Sequence, residues 1–403
     1  MNLLVLTTLY QEPDDRPDAV TTPVVHNFAK EWVRQGHHVI VIHNYNIFLK
    51  ALYMMPSKII NKITNRLGYR ISLDLSQRKD LAYQKDGVHI YKSTILKVIP
   101  QGAYPNRQLK HQVNKIQHIL EKENFIPDII LAHAENPQIY QLYYLKQKFP
   151  KAITSIVFHG IEYLQRPGFT KWLKVYYPSI NCYGFRSQGI HFKAQKTINF
   201  QNKYFLCPSG IANDYVNTPP ALENKSIYRI LFVGQLISRK HVDTIIHAVS
   251  AIRDNCYSLT IVGDGNDKKL LMELAENKKL EKVIFKGKLP HSSVIDEMRK
   301  ADCFIMISEN EVFGLVYLEA MSQGCITIAS KGEGIDGIIQ DKKNGFLCKA
   351  GNVDDLIKVL QYIRNMSRTD LDSMRKKAFL TARQYNESSV AEKYLENVIN
   401  NAT

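Results

Sequence analysis

The 403-residue chain has no run approaching the roughly 20 apolar residues that span a bilayer, so a helical membrane protein is not expected. Met1–Leu9 is apolar, but no basic segment precedes it and Glu12, Asp14 and Asp15 follow. That order reads as a buried first strand and not as a secretory leader. Cysteine is sparse and scattered: Cys182, Cys207, Cys256, Cys303, Cys325 and Cys348 contain no Cys-x-x-Cys pair. The expectation is reduced core thiols in a cytoplasmic protein, with no disulfide framework and no metal cluster. No Asp-x-Asp closes an apolar strand. The one such pair, Asp370-Leu371-Asp372, opens a helix as a capping cluster, so neither a divalent metal nor a cofactor is implied. Repeats of solenoid period, low-complexity tracts and nucleic-acid recognition motifs are also missing.

Acidic residues are scarce in one half only. Residues 1–200 hold 26 Lys+Arg against 13 Asp+Glu, whereas residues 201–403 hold 27 against 25. The formal net charge of +15 therefore belongs almost wholly to the N-terminal half. A field of that sign attracts an anionic partner: a membrane surface, a phosphorylated acceptor or nucleic acid. The excess peaks at residues 44–115, with 13 Lys+Arg and 3 Asp. Within it Ile59, Ile63 and Leu67 form one helical stripe, and Lys58, Lys62 and Arg66 the neighbouring one. A basic amphipathic helix of this kind can lie in a membrane interface; a solvated helix covering one domain is the plainer alternative.

What is present is a βα alternation that runs twice. Asn2–Thr8 reads as a strand. Thr22-Pro23 opens a helix with Thr at the cap and Pro first, Val24, Val25, Phe28, Ala29, Trp32 and Val33 recur at helical spacing, and Gly36 closes it before the strand His38–His43. Further strands are expected at Ile129–His133, Ile153–Phe158 and near Ser179–Phe185. A linker around Asn213–Lys225, containing Pro219-Pro220, separates this half from a second alternation that starts at Arg229 and runs through Ile326–Ala329. Two such halves predict an α/β protein of two doubly wound parallel-sheet domains facing a cleft.

The stretch Ser308-Glu309-Asn310-Glu311-Val312-Phe313-Gly314-Leu315-Val316-Tyr317-Leu318-Glu319-Ala320-Met321 directly follows a buried apolar strand. Ligands in open α/β sheets bind beyond the carboxyl ends of strands, where Glu311 falls. Gly314 permits close backbone approach, and the amides opening the next helix can meet a phosphate. Glu311 and Glu319 would lie about 12 Å apart if fully helical, an upper bound on the scale of a nucleoside-diphosphate sugar. Each carboxylate can accept two hydroxyl hydrogen bonds. Two glutamates alone would read as the polar face of a surface helix.

The whole string resembles the E-x7-E signature of retaining GT-B glycosyltransferases of family 4, followed in order by Gly324, Gly332-Glu333-Gly334 and Asn344-Gly345-Phe346-Leu347. Phe232-Val233-Gly234-Gln235-Leu236-Ile237-Ser238-Arg239-Lys240 resembles the family's diphosphate-binding segment, with Gln235 where an arginine is usual and His241 where a glycine is. Ile261-Val262-Gly263-Asp264-Gly265 resembles its strand-end G-x-G, and Phe285-Lys286-Gly287-Lys288-Leu289 the loop that touches the nucleobase. Cys207-Pro208-Ser209-Gly210-Ile211 resembles the turn before its linker. Phe158-His159-Gly160 looks like the position where a histidine approaches the transferred sugar, with His133 a weaker candidate.

The resemblance implies a GT-B fold with an acceptor-binding Rossmann-like domain at 1–213, a nucleotide-sugar-binding one at 225–383, and a C-terminal helix at 384–403 packing back on the first. It implies a metal-independent hexosyltransferase with His159, Glu311 and Lys240 at the reacting centre. Gly234, Gln235, Arg239, Lys240, Gly263, Lys288, Leu289, Val312, Phe313, Gly314, Leu315 and Glu319 would hold the donor, a UDP- or GDP-sugar. The acceptor would be a glycan, possible in polyprenyl-diphosphate-linked form, met at an anionic membrane surface through Lys58, Lys62 and Arg66, with no nucleic acid involved. The Tyr10–Thr22 loop carries no glycine pair of the kind many relatives have there. Two alternatives stand beside this: a nucleotide-sugar epimerase of the same fold, and a non-catalytic partner subunit.

Overall fold

The computed structural model describes residues 1–11, 22–56, 59, 78–98, 104–161, 163–165, 175–198, 203–216, 229–252 and 257–402. Lys58, Lys62, Arg66, Cys256 and the linker beyond Val216 lie outside them. The chain divides into two compact units. One comprises Met1–Arg186, Phe192–Cys207 and Ala391–Thr403; the other comprises Ser187–His191 and Pro208–Val390. The division falls at Cys207, ahead of the linker expected at 213–225.

The first unit is built on β1 (Asn2–Thr7), β2 (His38–Ile47), β3 (Leu81–Lys85), β4 (Val88–Leu96), β5 (Ile129–His133), β6 (Ile153–Phe158), β7 (Cys182–Phe185) and β8 (Tyr204–Leu206). Among the described residues they form one eight-stranded sheet in the order β3-β4-β2-β1-β5-β6-β7-β8. All neighbours are parallel except β3, which returns antiparallel on β4 at the edge. The β3–β4 hairpin turns on Asp86-Gly87, both at positive φ, the pairing a two-residue turn favours. Its described helices are α1 (Val24–Arg34), α2 (Lys50–Tyr53), α3 (Asn106–Lys122) and α4 (Gln138–Lys148); α5 (Gln188–Gln195) straddles the division, its residues up to His191 counting with the second unit.

Helix α1 begins one residue later than its sequence suggests. Pro23 occupies the cap position, and the Thr22 hydroxyl accepts the Val24 amide at 3.3 Å. The strand expected near Ser179–Phe185 starts only at Cys182, because Tyr177–Ser179 forms a 3-10 turn around Pro178.

The second unit contains β9 (Arg229–Val233), β10 (Ser258–Val262), β11 (Val283–Gly287), β12 (Cys303–Met306), β13 (Ile326–Ser330) and β14 (Phe346–Cys348). Its described residues form a six-stranded, wholly parallel sheet in the order β11-β10-β9-β12-β13-β14. Its helices are α6 (Val242–Ala251), α7 (Lys268–Asn277), α8 (His291–Lys300), α9 (Leu315–Ser322), α10 (Val353–Asn365) and α11 (Arg368–Gln384). Strand order reverses between β9 and β12. Arg229 pins that junction by a two-pronged bond to fully buried Asp302, at 2.9 and 3.0 Å. Helix α11 is capped by Ser367 and not by the aspartates expected to do so: the Ser367 hydroxyl accepts the Asp370 amide at 3.1 Å and donates to the Asp370 carboxylate at 2.6 Å, while Asp372 faces Arg368 and Arg375.

Helix α12 (Glu387–Ala402) is shared, and from Ala391 onward it belongs to the first unit. There Tyr394 packs against Phe28, Trp32 and Phe205, with ring centroids 5.3 to 5.5 Å apart. The Trp32 indole donates to the Ala391 carbonyl at 2.9 Å. Trp32→Ala is expected to lower the stability of this unit by about 3–5 kcal/mol, read as a shift in the urea transition followed by far-UV circular dichroism.

Candidate active site in the second unit

Beyond the carboxyl ends of β9 and β12, two loops meet because their strands are neighbours. The loop after β9 tightens into a 3-10 turn, Ser238–Lys240, and His241 then takes a left-handed backbone with φ 50°. Glycine adopts that conformation at least cost, which is the physical content of a glycine at this position in the resembled family. The turn drives Lys240 inward until it is 8% exposed. Its Nζ donates to Glu311 Oε2 at 2.5 Å, across 71 residues of sequence. The Ser308 hydroxyl donates to the same oxygen at 3.2 Å, and Arg239 Nη1 stands 3.8 Å from it. Backbone bonds fix the frame: the Glu309 amide donates to Arg239 at 2.8 Å, the Gly334 amide to Glu311 at 3.0 Å, and the Glu311 amide to the Glu333 carboxylate at 2.9 Å. One carboxylate thus faces two cations, and Arg239 is partly open to solvent.

Glu311 lies in a loop, not in the helix. Helix α9 opens only after Gly314, whose φ of 83° no side chain tolerates easily. A Cβ there would also lie 2.4 Å from the Tyr317 ring, which is buried and bonded by its hydroxyl to the Met306 carbonyl at 2.6 Å. The first amides of α9 consequently sit beside Glu311 with no intrahelical carbonyl to meet, the arrangement that binds anions. Of the neighbouring candidates, Val312 is exposed, Phe313 is buried and Leu315 is partly buried.

Gly234 and Gly263 are brought together as backbone. The Gly234 amide donates to Val262 at 3.0 Å, and a Cβ on Gly263 would lie 1.8 Å from the Gly234 carbonyl oxygen. The G-x-G segment therefore lets two strand-end loops touch, and its glycine is a packing requirement. Gln235 and Lys288 are exposed, and Leu289 is partly buried.

Glu319 has a partner that the sequence motif does not announce. His291, the first residue of α8, presents Nε2 to Glu319 Oε1 at 2.9 Å, while its Nδ1 meets the Tyr215 hydroxyl at 3.1 Å. The bond to Glu319 raises the His291 pKa against an opposing effect of burial. The available signal was position: His291 stands two residues after Leu289, in the segment compared with a nucleobase loop.

In the first unit, His159 follows β6 and is paired with His133, the last residue of β5: His133 Nδ1 and His159 Nε2 are 3.0 Å apart. Burial and the Arg186 guanidinium push the His133 pKa down to about 3. His159 is held well below the ordinary imidazole range by burial, then by Arg186 and His133. Among the described residues, no group of three or more His, Cys, Asp or Glu side chains could hold a metal.

Residues 218–380 match the family model of glycosyl transferases group 1. The matched stretch falls within the second unit, which is therefore similar to a group 1 glycosyltransferase domain. An uncharacterized glycosyltransferase of Methanocaldococcus jannaschii is 26% identical over 293 residues, covering 71% of this chain and 79% of that one. The N-acetyl-alpha-D-glucosaminyl L-malate synthase of Bacillus anthracis is 32% identical over 154 residues, of which the match spans 40% of its length. Among solved structures, Anabaena HepE, crystallised in complex with UDP, superposes with a TM-score of 0.68 at 14% identity, over 99% of this chain and 100% of the other. The two parallel-sheet α/β units have the GT-B fold, and the matches together support a place in the GT-B glycosyltransferase superfamily.

Because its pKa is raised by folding, His291 contributes stability that is complete below its unfolded value of 6.5 and is lost as pH rises through the folded value. A histidine NMR titration is expected to place His291 above 6.5, and Glu319→Gln to bring it down.

Proposed function

We propose that the chain transfers a sugar from a nucleoside-diphosphate sugar, UDP or GDP, to a glycan acceptor carried on a polyprenyl diphosphate, with retention at the anomeric carbon, in cell-surface polysaccharide assembly. The observation that carries the reading is the Lys240–Glu311 pair beside the open end of α9, at the point where the strand order reverses.

The chemistry follows from charge. As the bond from C1 to the diphosphate oxygen breaks, its electron pair leaves with the diphosphate and positive charge grows on the sugar. Lys240, Arg239 and the first α9 amides stabilise the departing anion, as preorganised donors do in a partly dry site. Glu311 accepts hydroxyl hydrogen bonds from the sugar, and Ser308 and Lys240 keep its carboxylate aimed. Glu319, oriented by His291, accepts from the ribose, and Lys288 and Leu289 flank the base. His159 contacts the sugar, and the acceptor hydroxyl attacks C1 from the face by which the diphosphate departs, its proton passing to the departing diphosphate oxygen that has taken the electron pair of the broken bond. The cations of this chain take the role a metal would otherwise have, which supports a metal-independent enzyme of family 4 type. HepE was solved with UDP, which supports that nucleotide class.

The membrane part of the proposal rests on charge and on side chains flanking Lys58, Lys62 and Arg66. Met54 is 85% exposed and Ile59 49%, and residues 44–115 carry the charge excess noted above. Binding to anionic vesicles at low salt, lost at high salt, is the expected behaviour.

A panel of UDP-, GDP- and ADP-sugars, scored for nucleotide release with and without lipid-linked acceptor, tests the reaction. Acceptor-dependent release is expected. Isomerised donor without release would select an epimerase, and no nucleotide binding a non-catalytic subunit. Lys240→Ala and Glu311→Ala are each expected to lower kcat by about 10²–10³-fold; unchanged turnover would remove both residues from the mechanism.

A further inference from the structure

The ends of β5 and β6 hold a pair of imidazoles joined by one hydrogen bond, and that bond has a direction. His133 is 0% exposed. Its ring packs against Phe28 at 5.9 Å and Tyr394 at 5.7 Å. Its Nδ1 lies 3.0 Å from His159 Nε2, while its own Nε2 is buried with no partner among the described residues. His159 is partly exposed, and its Nδ1 has no partner among the described residues.

Two arrangements satisfy the short contact with both rings neutral. In one, His159 donates from Nε2–H, so His133 must carry its proton on Nε2 and bury an N–H that meets nothing. In the other, His133 donates from Nδ1–H, and its Nε2 is left as a bare lone pair. Orphaned buried N–H groups are rarer and costlier than under-used acceptors. The second arrangement therefore prevails, and it leaves the His159 proton on Nδ1. A third option, an imidazolium, is opposed by burial and by the nearby Arg186 guanidinium.

We propose that His133 is a positioning residue that fixes His159 in its Nδ1–H tautomer, so that His159 meets a ligand as a hydrogen-bond donor and not as a base. Free histidine prefers the opposite tautomer, Nε2–H, so the neighbour imposes the choice. The consequence for catalysis rests on the glycosyltransferase reading above: His159 offers its Nδ1–H to a lone pair on a sugar oxygen, and no proton changes hands there.

The test is spectroscopic first. In the full chain labelled with 15N-histidine, long-range proton–nitrogen correlations between pH 6 and 8 should show His159 with a protonated Nδ1 and a bare Nε2 and no titration. A protonated Nε2 on His159 in the unmodified chain overturns the proposal, whatever the activity. His133→Phe keeps a ring among Phe28 and Tyr394 but removes the donor; His159 should then shift towards Nε2–H. His133→Gln restores an N–H donor and should restore the original pattern. With the donor sugar that the wild type turns over, His133→Phe should lower kcat about tenfold, one transition-state hydrogen bond's worth, and leave KM nearly unchanged, with partial rescue in His133→Gln. A folded His133→Phe chain whose tautomer changes while kcat does not would refute the positioning role. A correct His159 signature in a chain that turns over no nucleotide sugar would refute the enzymatic reading and leave the tautomer assignment standing.

Discussion

The site depends on the side-by-side pairing of β9 and β12. These strands are separated in sequence by two complete strand–helix units, β10–α7 and β11–α8, yet Cys303 and Phe304 pair with Ile230 and Leu231. Their carboxyl ends therefore open at one place, and the loops that leave them go to opposite sides of the sheet. Arg229 and Asp302 hold the far ends of the same two strands together. Without that adjacency Lys240 would have no Glu311. The ion pair is a product of topology before it is a product of side-chain choice.

Around it the structure spends little on flexible groups. The Glu311 carboxylate is aimed by Lys240 and Ser308, its amide by Glu333, and its carbonyl by Gly334. The first unit uses the same logic with a different chemistry, since His159 is held by an imidazole that stacks in turn on α1 and α12. In both units, polar side chains that follow the carboxyl ends of strands are braced by buried groups. Such bracing is what keeps a polar group in one geometry before a ligand arrives.

Much of this was legible in the sequence because it depends on local periodicity or on glycine. The βα alternation of the second half and the opening of α9 after Gly314 both follow from spacing and backbone freedom. So did the GT-B fold, once the ordered motif string was on the page. Other features were not legible for identifiable reasons. The β3–β4 hairpin was hidden behind the strong basic bias of its surroundings, although Asp86-Gly87 is a turn signal. The His291–Glu319 and His133–His159 pairs join residues 28 and 26 positions apart. No periodicity links such partners; only the order of strands in the sheets does. Gly263 reads in a motif as a ligand-facing residue, whereas its close contact with Gly234 shows a demand of packing.

The path of the chain through its two units has a consequence for biosynthesis. Trp32 leaves the ribosome before the second unit is made, whereas Tyr394, which completes the same aromatic core, leaves it only after residue 390 has closed that unit. The aromatic core of the first unit can therefore be completed only after the second unit has been synthesised. Until then Phe28 and Trp32 on α1 lack their Tyr394 cover and form uncovered apolar surface, the kind on which chaperones and misassembly compete.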